Sequence, residues 1–161
     1  MTYNNNILIT GGAGFIGSYL SGALISSGFN ITILDKKKNK KNNKEATFIQ
    51  VDIEDYRSLS KINQSFDLVI HLAAEHQDNV SPVSRYYDVN VNGTKNVIKF
   101  CNSKGINNII FFSSQAVYGE SKECYSESDK PLPVNHYGKS KLQAEKLLMD
   151  WKTDKSKLAI I

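Results

Sequence analysis

The segment ILITGGAGFIG, residues 7–17, decides the fold of this 161-residue chain. Its first part, Ile7–Thr10, predicts a short buried strand, and a helical pattern follows over about residues 14–28. Three glycines at intervals of three residues join the two: Gly11, Gly14 and Gly17. Glycine accepts a positive φ and lets a backbone approach a phosphate, while a helix N-terminus presents free N–H groups to an anion. This arrangement predicts a dinucleotide-binding unit, with a purely structural turn as the alternative.

An acidic residue closes the next apolar segment, Ile31–Asp35. A carboxylate at this place can accept both hydroxyls of an adenosine ribose and repels a 2′-phosphate, which favours NAD over NADP. Three lysines, Lys36–Lys38, follow directly and could soften that repulsion. The alternative for Asp35 is a carboxylate that only caps the loop.

Short apolar segments alternate with helical patterns along the chain. The predicted strands are Ile7–Thr10, Ile31–Asp35, Thr47–Val51, Leu68–Leu72, Ile109–Ser113 and Lys157–Ile161. The predicted helices lie at about residues 14–28, 55–63, 83–104 and 135–152. Strands that are mostly apolar, not alternating, are typical of parallel sheets covered on both faces. The pattern predicts one α/β domain with a doubly wound parallel sheet, the Rossmann fold.

The chain stops inside its last predicted strand, Lys157–Ile161, with no polar cap or tail. We therefore expect a protein truncated in or after the sixth strand. The alternative is that this strand simply closes the edge of the sheet.

Composition disfavours several function classes. The net charge is +4, but six lysines crowd into Lys36–Lys44, so the basic character is local and nucleic-acid binding is not expected. Residues 1–34 carry no charge, yet glycines and serines interrupt them and no basic segment precedes them, so neither a signal peptide nor a membrane span is expected. The two cysteines, Cys101 and Cys124, form no CxxC motif, which disfavours a metal site or a disulfide and fits the cytoplasm.

A tyrosine and a lysine four residues apart indicate acid–base chemistry. Tyr137 and Lys141 stand at i and i+4 of a predicted helix and share one face. A phenol is a weak acid, but a nearby ammonium group and a positive nicotinamide ring would stabilise its anion and make it a general base. Ser113 and Ser114 end the fifth strand, at the sheet edge where such folds bind ligands. A surface Tyr–Lys pair is the alternative.

Seven motifs, taken together, are specific. They are TGGAGFIG at 10–17, LD at 34–35, VDIED at 51–55, HLAAE at 71–75, NVNGT at 90–94, FFSSQAVYG at 111–119 and YGKSK at 137–141. With them the chain resembles the extended short-chain dehydrogenase/reductase family, in its NAD-dependent nucleotide-sugar epimerase/dehydratase branch. The resemblance covers the cofactor-binding part, so residues 1–161 would be an NAD-binding Rossmann domain without the carboxyl-terminal substrate domain.

The resemblance implies NAD as cofactor and assigns the site residues. Ser114, Tyr137 and Lys141 would be catalytic. The cofactor would contact Gly11, Gly14, Phe15, Ile16, Gly17, Asp35, Asp52, Ile53, Leu72, Ala73, Ala74, Asn90, Tyr137 and Lys141. Three of the motif residues have plainer alternatives: Asp52 as a turn residue, Asn90 as a helix residue with a structural hydrogen bond, and His71 as a satisfied core histidine, which we prefer. We expect no metal.

One departure narrows the reaction. Where sugar 4,6-dehydratases carry an Asp–Glu pair this chain has Gln115 and Ala116, and neither can transfer a proton. We therefore expect a nucleotide-sugar 4-epimerase, with a UDP-linked sugar as the expected substrate. A non-catalytic NAD-binding module and a reductase or dehydratase of the same family are the alternatives. The family also implies a homodimer through the helices at residues 83–104 and 135–152, although core packing would explain their apolar residues equally well.

Overall fold

The computed structural model describes residues 5–38, 44–120 and 124–161. Residues 39–43 of the lysine-rich stretch lie outside this part. The described residues contain one parallel sheet of six strands in the order β3-β2-β1-β4-β5-β6. The strands are β1 Asn6–Thr10, β2 Asn30–Asp35, β3 Thr47–Gln50, β4 Leu68–His71, β5 Asn108–Phe111 and β6 Lys157–Ile160. The predicted Rossmann fold is confirmed.

The helices cover both faces of the sheet. They are α1 Phe15–Ser26, α2 Tyr56–Ser60, α3 Ser84–Tyr87, α4 Thr94–Lys104 and α5 His136–Trp151. On one face Ile7, Ile9 and Ile33 pack with residues of α1, and on the other Leu8 and Leu34 pack with residues of α4 and α5. Neighbouring residues of one strand thus enter opposite cores, which explains why the strands are apolar throughout.

The prediction of one regular helix over residues 83–104 was wrong in detail. A π-helical stretch, Asp88–Gly93, separates α3 from α4. At its end the Thr94 hydroxyl donates to the Asn90 carbonyl at 2.6 Å, and the Asn90 side chain bonds residues outside the helix. Such side-chain bonding is not visible in a hydrophobic pattern, and π-helical turns often lie at functional sites.

The strand order places the carboxyl ends of β1 and β4 in the middle of the sheet. Thr10 of β1 pairs with Leu34 of β2 on one side and with His71 of β4 on the other. From β1 the chain adds β2 and β3 on one side of the sheet, and then β4, β5 and β6 on the other. Such a switch point, here between β1 and β4, opens a crevice at the carboxyl ends of the strands. The strands also end one or two residues earlier than predicted at β3, β4 and β5, and the residues that follow them line that crevice.

Within the described part of the chain, no helix has the length and apolar character needed to cross a membrane.

Candidate cofactor and catalytic site

A cleft of about 410 Å³ lies at the carboxyl ends of the strands. Among the residues predicted to bind cofactor, it is lined by Gly11, Gly14, Phe15, Ile16, Gly17, Asp35, Asp52, Ile53, Leu72, Ala73, Ala74, Tyr137 and Lys141. The structure therefore brings together residues that are up to 130 positions apart in the chain. Asn90 and Ser114 do not line the cleft.

The glycine turn forms one wall by close contact between backbones. Gly11 has a φ of +68°, and an added Cβ would stand 2.6 Å from the Cα of Ala73. An added Cβ at Gly17 would stand 2.4 Å from the Cα of Gly12, so Gly17 packs against the glycine turn. In this motif the third glycine usually allows the helix to pack against a strand, and here it does not. Gly14 is different, because its Cβ would meet only the Gly11 carbonyl oxygen, at 3.2 Å.

This wall fits an anionic diphosphate. Gly14 is the N-cap of α1, gives no side-chain cap, and is followed by a first turn without acidic residues. The first N–H groups of the helix thus receive no side-chain acceptor from the cap, and the helix dipole makes this end positive. The space beside Gly14 that a side chain would fill lies in the cleft. A phosphate is the group that such a cradle accepts.

Asp35 has the capping role considered for it, and its position leaves the predicted ribose contact open. Its Oδ2 accepts a hydrogen bond from the Ala13 N–H at 3.1 Å, and its Oδ1 accepts one from the Lys37 N–H at 3.1 Å. The carboxylate therefore caps the glycine turn and its own loop, and it also lines the cleft. Each carboxylate oxygen can accept more than one bond, so these contacts leave capacity for the ribose hydroxyls.

The loop after β3 forms the floor beside Asp35. Asp52 accepts a bond from the Glu54 N–H at 3.0 Å, which is the turn role considered for it, and it faces the cleft as well. Ile53 is buried against Gly93, where an added Cβ would come within 2.5 Å of the isoleucine side chain.

The opposite wall is the start of α5. The Asn135 side chain caps this helix by accepting from the Gly138 N–H at 2.8 Å. Gly138 lets the helix touch the turn after β5, since its added Cβ would lie 2.2 Å from the Ala116 carbonyl oxygen. Tyr137 is thereby held beside the end of β5, half-buried, with its ring centroid 6.4 Å from that of Tyr86.

Lys141 is almost completely buried, with 2% of its surface exposed. Its Nζ donates to the Phe112 carbonyl at 2.5 Å and stands 4.0 Å from the centroid of the Phe111 ring. Burial lowers the pKa of this ammonium group to about 7, and the negative charge of Glu145 opposes that change. The lysine faces the cleft together with Tyr137.

Ser113, not Ser114, lines the cleft, and the Ser113 hydroxyl donates to Glu145. The Ser114 Oγ accepts from the Ala116 N–H at 3.2 Å and caps the short 3₁₀ turn Gln115–Val117. Because it accepts there, its own proton stays available for donation.

Asn90 supports the site from behind. Its Nδ2 donates to the Glu75 carbonyl at 3.0 Å and to the Ser140 hydroxyl at 2.9 Å, and its Oδ1 accepts from the Glu75 N–H at 2.7 Å. The Ser140 hydroxyl in turn donates to the Tyr137 carbonyl at 2.7 Å. This amide thus makes the structural hydrogen bonds given above as its alternative role.

His71 is the satisfied core histidine that the sequence predicts. Its Nε2 lies 3.0 Å from the Thr94 Oγ1, which already donates to the Asn90 carbonyl, so Nε2 donates and Nδ1 accepts from Thr10 at 2.6 Å. Burial and the nearby Lys141 charge lower the pKa of this imidazole to about 3. The ring is therefore neutral at any physiological pH.

Sequence reasoning missed seven residues of the cleft: Leu34, Lys36, Val51, His76, Val89, Phe112 and Ser113. Most of them are next in sequence to a predicted site residue at the end of a strand. They could have been predicted by including the residues on either side of each strand end. Among the described residues, no three His, Cys, Asp or Glu side chains gather in a way that could hold a metal ion.

Comparison with known proteins agrees with this geometry. Residues 7–161 match the sequence profile of the NAD dependent epimerase/dehydratase family. The chain is 47% identical over 148 residues to an N-acetyl-alpha-D-glucosaminyl-diphospho-ditrans,octacis-undecaprenol 4-epimerase of Escherichia coli O157:H7, covering 92% of this chain and 44% of the relative. It is 35% identical over 153 residues to the UDP-glucose 4-epimerase of Lacticaseibacillus casei, covering 90% and 46%.

Solved structures give the same result. The UDP-glucose 4-epimerase of Brucella ovis in complex with NAD superposes with a TM-score of 0.88 at 32% identity, over 97% of this chain and 50% of that one. The NAD complex of the Thermus thermophilus UDP-glucose 4-epimerase gives a TM-score of 0.90 at 30% identity, over 96% and 53%. The chain spans about half the length of these relatives. The chain belongs to the NAD-dependent epimerase/dehydratase family, and its cofactor is NAD.

Proposed function

We propose that this chain is the cofactor-binding and catalytic part of a 4-epimerase that acts on a sugar attached to a diphosphate. The observation that carries the proposal is the placement of Tyr137 and the buried Lys141 on one wall of the cleft, facing the glycine turn on the other. The relatives quoted above are 4-epimerases, which agrees with this assignment.

The residues divide into two groups by what they would touch. The turn at Gly11, Gly14 and Gly17 would hold the cofactor diphosphate, together with Phe15 and Ile16. Asp35 would accept the adenosine ribose hydroxyls. Asp52 and Ile53 would border the adenine, and residues 72–74 would line the groove toward the nicotinamide. Asn90 would act on the site only through Glu75 and Ser140.

Catalysis would need a base for the C4 hydroxyl, a cation that stabilises that base, and a hydrogen-bond donor to the C4 oxygen. When bound, NAD supplies a hydride acceptor that can return the hydride to the other face of the sugar carbon. Tyr137 would act as a phenolate stabilised by the ammonium group of Lys141, would take the proton of the C4 hydroxyl as the hydride leaves C4, and would give that proton back when the hydride returns. The Ser114 hydroxyl would donate a hydrogen bond to the same sugar oxygen, without transferring its proton.

The dehydratase and non-catalytic alternatives are weaker. Gln115 is exposed and Ala116 has no ionisable group, so neither supplies the proton transfers that loss of water requires. A module that only binds NAD would have no need to bury a lysine beside a tyrosine, since a buried ammonium group is costly.

Two carriers are candidates for the diphosphate-linked sugar. The sequence resemblance favours a nucleoside, and the UDP-glucose 4-epimerases among the relatives agree with it. The relative at 47% identity is named for a sugar on a diphospho-undecaprenol carrier, and this identity exceeds the 35% found for the UDP-glucose enzyme. The polyprenyl carrier is therefore the second candidate, with N-acetylglucosamine as its sugar.

The decisive experiment is an assay of C4 epimerisation by the protein that the complete gene encodes. The substrates are UDP-glucose, UDP-N-acetylglucosamine and undecaprenyl diphosphate-linked N-acetylglucosamine, with NAD⁺ present. We expect one of them to interconvert with its C4 epimer, and Tyr137→Phe to lower turnover by ~100-fold or more. Absence of C4 epimerisation with every substrate, or full activity of Tyr137→Phe, would refute the proposal.

The 161-residue chain alone should bind NAD⁺ but turn over sugars very slowly. Correct orientation of a substrate contributes roughly 7–11 kcal/mol to lowering a barrier, and the relatives are about twice as long as this chain. Robust Tyr137-dependent turnover by the isolated chain would show that residues 1–161 already hold the sugar.

A cytoplasmic location also belongs to the proposal, and it agrees with the free thiols of Cys101 and Cys124.

A homodimer is the last part of the proposal. On the two helical stretches, Val89, Val97 and Leu148 are buried in the core of the chain itself, so core packing accounts for these three apolar residues. Ile98, Leu142 and Leu147 remain half-buried, and Met149 is exposed. Sedimentation should show a dimer mass at high protein concentration, and a monomer mass at every concentration would remove this part.

A further inference from the structure

The buried Lys141 lies beside the proposed base, and its charge state depends on the groups that surround it. Lys141 must carry a positive charge to stabilise a phenolate, but it lies in the interior with 2% of its surface exposed. Burial in an apolar environment favours the neutral amine. Some nearby group must therefore keep this amine protonated near neutral pH.

Among the described residues, the polar groups near Lys141 come from β4, from the residues after β5 and from α5. From β4, His71 is neutral because both of its ring nitrogens are engaged and its pKa is about 3. From the residues after β5, the Phe112 carbonyl accepts a hydrogen bond from Nζ but carries no charge. From α5, Tyr137 lies one turn before Lys141, and Glu145 lies one turn after it. Glu145 is thus the carboxylate in this set.

Glu145 is held in place from the sheet side. The Ser113 hydroxyl donates to its Oε1, and the Ser113 N–H donates to the Ile161 carbonyl at 2.7 Å, which anchors the serine at the end of the sheet. The Glu145 carboxylate also sits at i+4 from Lys141, where helical side chains are neighbours. Its negative charge acts on the lysine, raising the pKa that burial lowers.

We infer that Glu145 is a positioning residue: held by Ser113, it keeps the buried Lys141 cationic and aimed into the cleft. The hydrogen bond of Ser113 fixes the carboxylate, and the carboxylate fixes the charge state of the lysine. Ser113 lines the cleft next to Ser114, so this chain of contacts also ties the end of β5 to α5. The usefulness of a cation at this place rests on the proposed function, but the protonation of Lys141 can be measured without it.

The experiment is an NMR titration of the lysine side chains in the 161-residue chain, with the Lys141 signal assigned by its loss in Lys141→Arg. In the unmodified chain the midpoint of Lys141 should lie near 7. Glu145→Gln should lower that midpoint by roughly one pH unit or more, because a facing charge is lost at unchanged size. Glu145→Asp, which keeps the charge, should restore most of the shift.

Two further variants separate charge from fold. Asp150→Asn removes an exposed carboxylate from the same helix and should leave the midpoint unchanged. Ser113→Ala frees the carboxylate but keeps its charge, so it should lower the midpoint by less than Glu145→Gln. Should Glu145→Gln fail to fold, Ser113→Ala decides: an unchanged midpoint overturns the inference, as does an unchanged midpoint in folded Glu145→Gln.

NAD⁺ binding measured alongside separates this inference from the proposed function. If the midpoint shifts as expected but NAD⁺ does not bind, the proposed function fails and the role of Glu145 stands. If NAD⁺ binds, its affinity should weaken as the pH rises through the Lys141 midpoint, and in Glu145→Gln this loss should begin at lower pH. An identical pH dependence in both proteins overturns the inference.

Discussion

The two walls of the cleft are held by different kinds of contact, backbone contacts in one and side-chain contacts in the other. Around the glycine turn, backbone touches backbone, and an added Cβ at Gly11 or Gly17 would lie within 2.6 Å of another main-chain atom. Around α5, side chains make the contacts: Lys141 donates to a carbonyl, Ser113 donates to Glu145, and a buried amide stands behind them. The first wall should therefore fail by steric conflict and the second by loss of charge or hydrogen bonds.

The largest effect is expected from Gly17→Ala. Its Cβ would lie 2.4 Å from the Cα of Gly12, so the backbone must move. We expect the free energy of unfolding to fall by about 3 kcal/mol and NAD⁺ binding to be lost. Urea denaturation and calorimetry measure the two effects. Gly22→Ala is the matched control in the same helix, because nothing lies within 4 Å of its added Cβ, and it should gain about 0.5–1 kcal/mol. Equal effects at the two positions would end the steric account of this wall.

Gly14→Val should separate binding from stability within the same turn. An added Cβ at Gly14 meets only the Gly11 carbonyl oxygen, at 3.2 Å, and Gly14 lines the cleft, so we expect the valine side chain to occupy cleft space. NAD⁺ and NADP⁺ should both bind on the order of tenfold more weakly, a loss of ~1.4 kcal/mol, while the unfolding midpoint in urea changes little. A large loss of stability with unchanged binding would mean that Gly14, like Gly17, is a packing residue.

Asp35→Asn tests the carboxylate that is proposed to accept the ribose hydroxyls. The carboxylate should select NAD⁺ over NADP⁺ because it accepts hydroxyl hydrogens and repels a 2′-phosphate. Calorimetric titration should show a preference for NAD⁺ of about tenfold or more in the unmodified chain and a smaller one in the variant. If the unmodified chain binds NADP⁺ equally well or better, the neighbouring Lys36–Lys38 override the carboxylate.

When stability is compared over a single pH unit, the smallest effect is expected from His71, which lies between the two walls. Its pKa is about 3 in the folded chain and about 6.5 when unfolded, so between these values unfolding takes up a proton. The free energy of unfolding should therefore fall as the pH falls through this window, with His71 contributing up to ~1.4 kcal/mol per pH unit. His71→Gln should reduce the slope measured between about pH 5 and 6 by close to one proton. The same slope in both proteins would show that the folded histidine can take up a proton.

The sequence predicted the backbone wall well. Glycine spacing and apolar runs depend on local rules, so the strand, turn and helix around Gly11 could be read directly, and Asp35 was placed by its position at a strand end. Element ends were less accurate: β5 ends at Phe111, before the predicted Ser113. The regular pairing of β5 ends there, although the Phe112 and Ser113 N–H groups still donate to His71 and Ile161, and both residues line the cleft.

The side-chain wall could be predicted only in part. Helical spacing placed Tyr137 and Lys141 on one face, and the strand end placed Ser113 near the ligand, but nothing in a linear pattern shows that Glu145 receives a hydrogen bond from Ser113. That contact joins segments that are 32 residues apart in the chain. Asn90 shows the same limit, since its partners depend on a π-helical stretch that hydrophobic periodicity does not reveal.

The hydrogen bonds that run through His71 also bear on the order in which the chain folds. Thr10 and His71 are 61 residues apart, His71 and Thr94 are 23 apart, and Asn90 and Ser140 are 50 apart. A nascent unit of β1, α1 and β2 contains only one member of this series, and each later bond requires a long loop to close first. We therefore expect these bonds to form late in folding, so that substitutions in the series accelerate unfolding more than they slow folding.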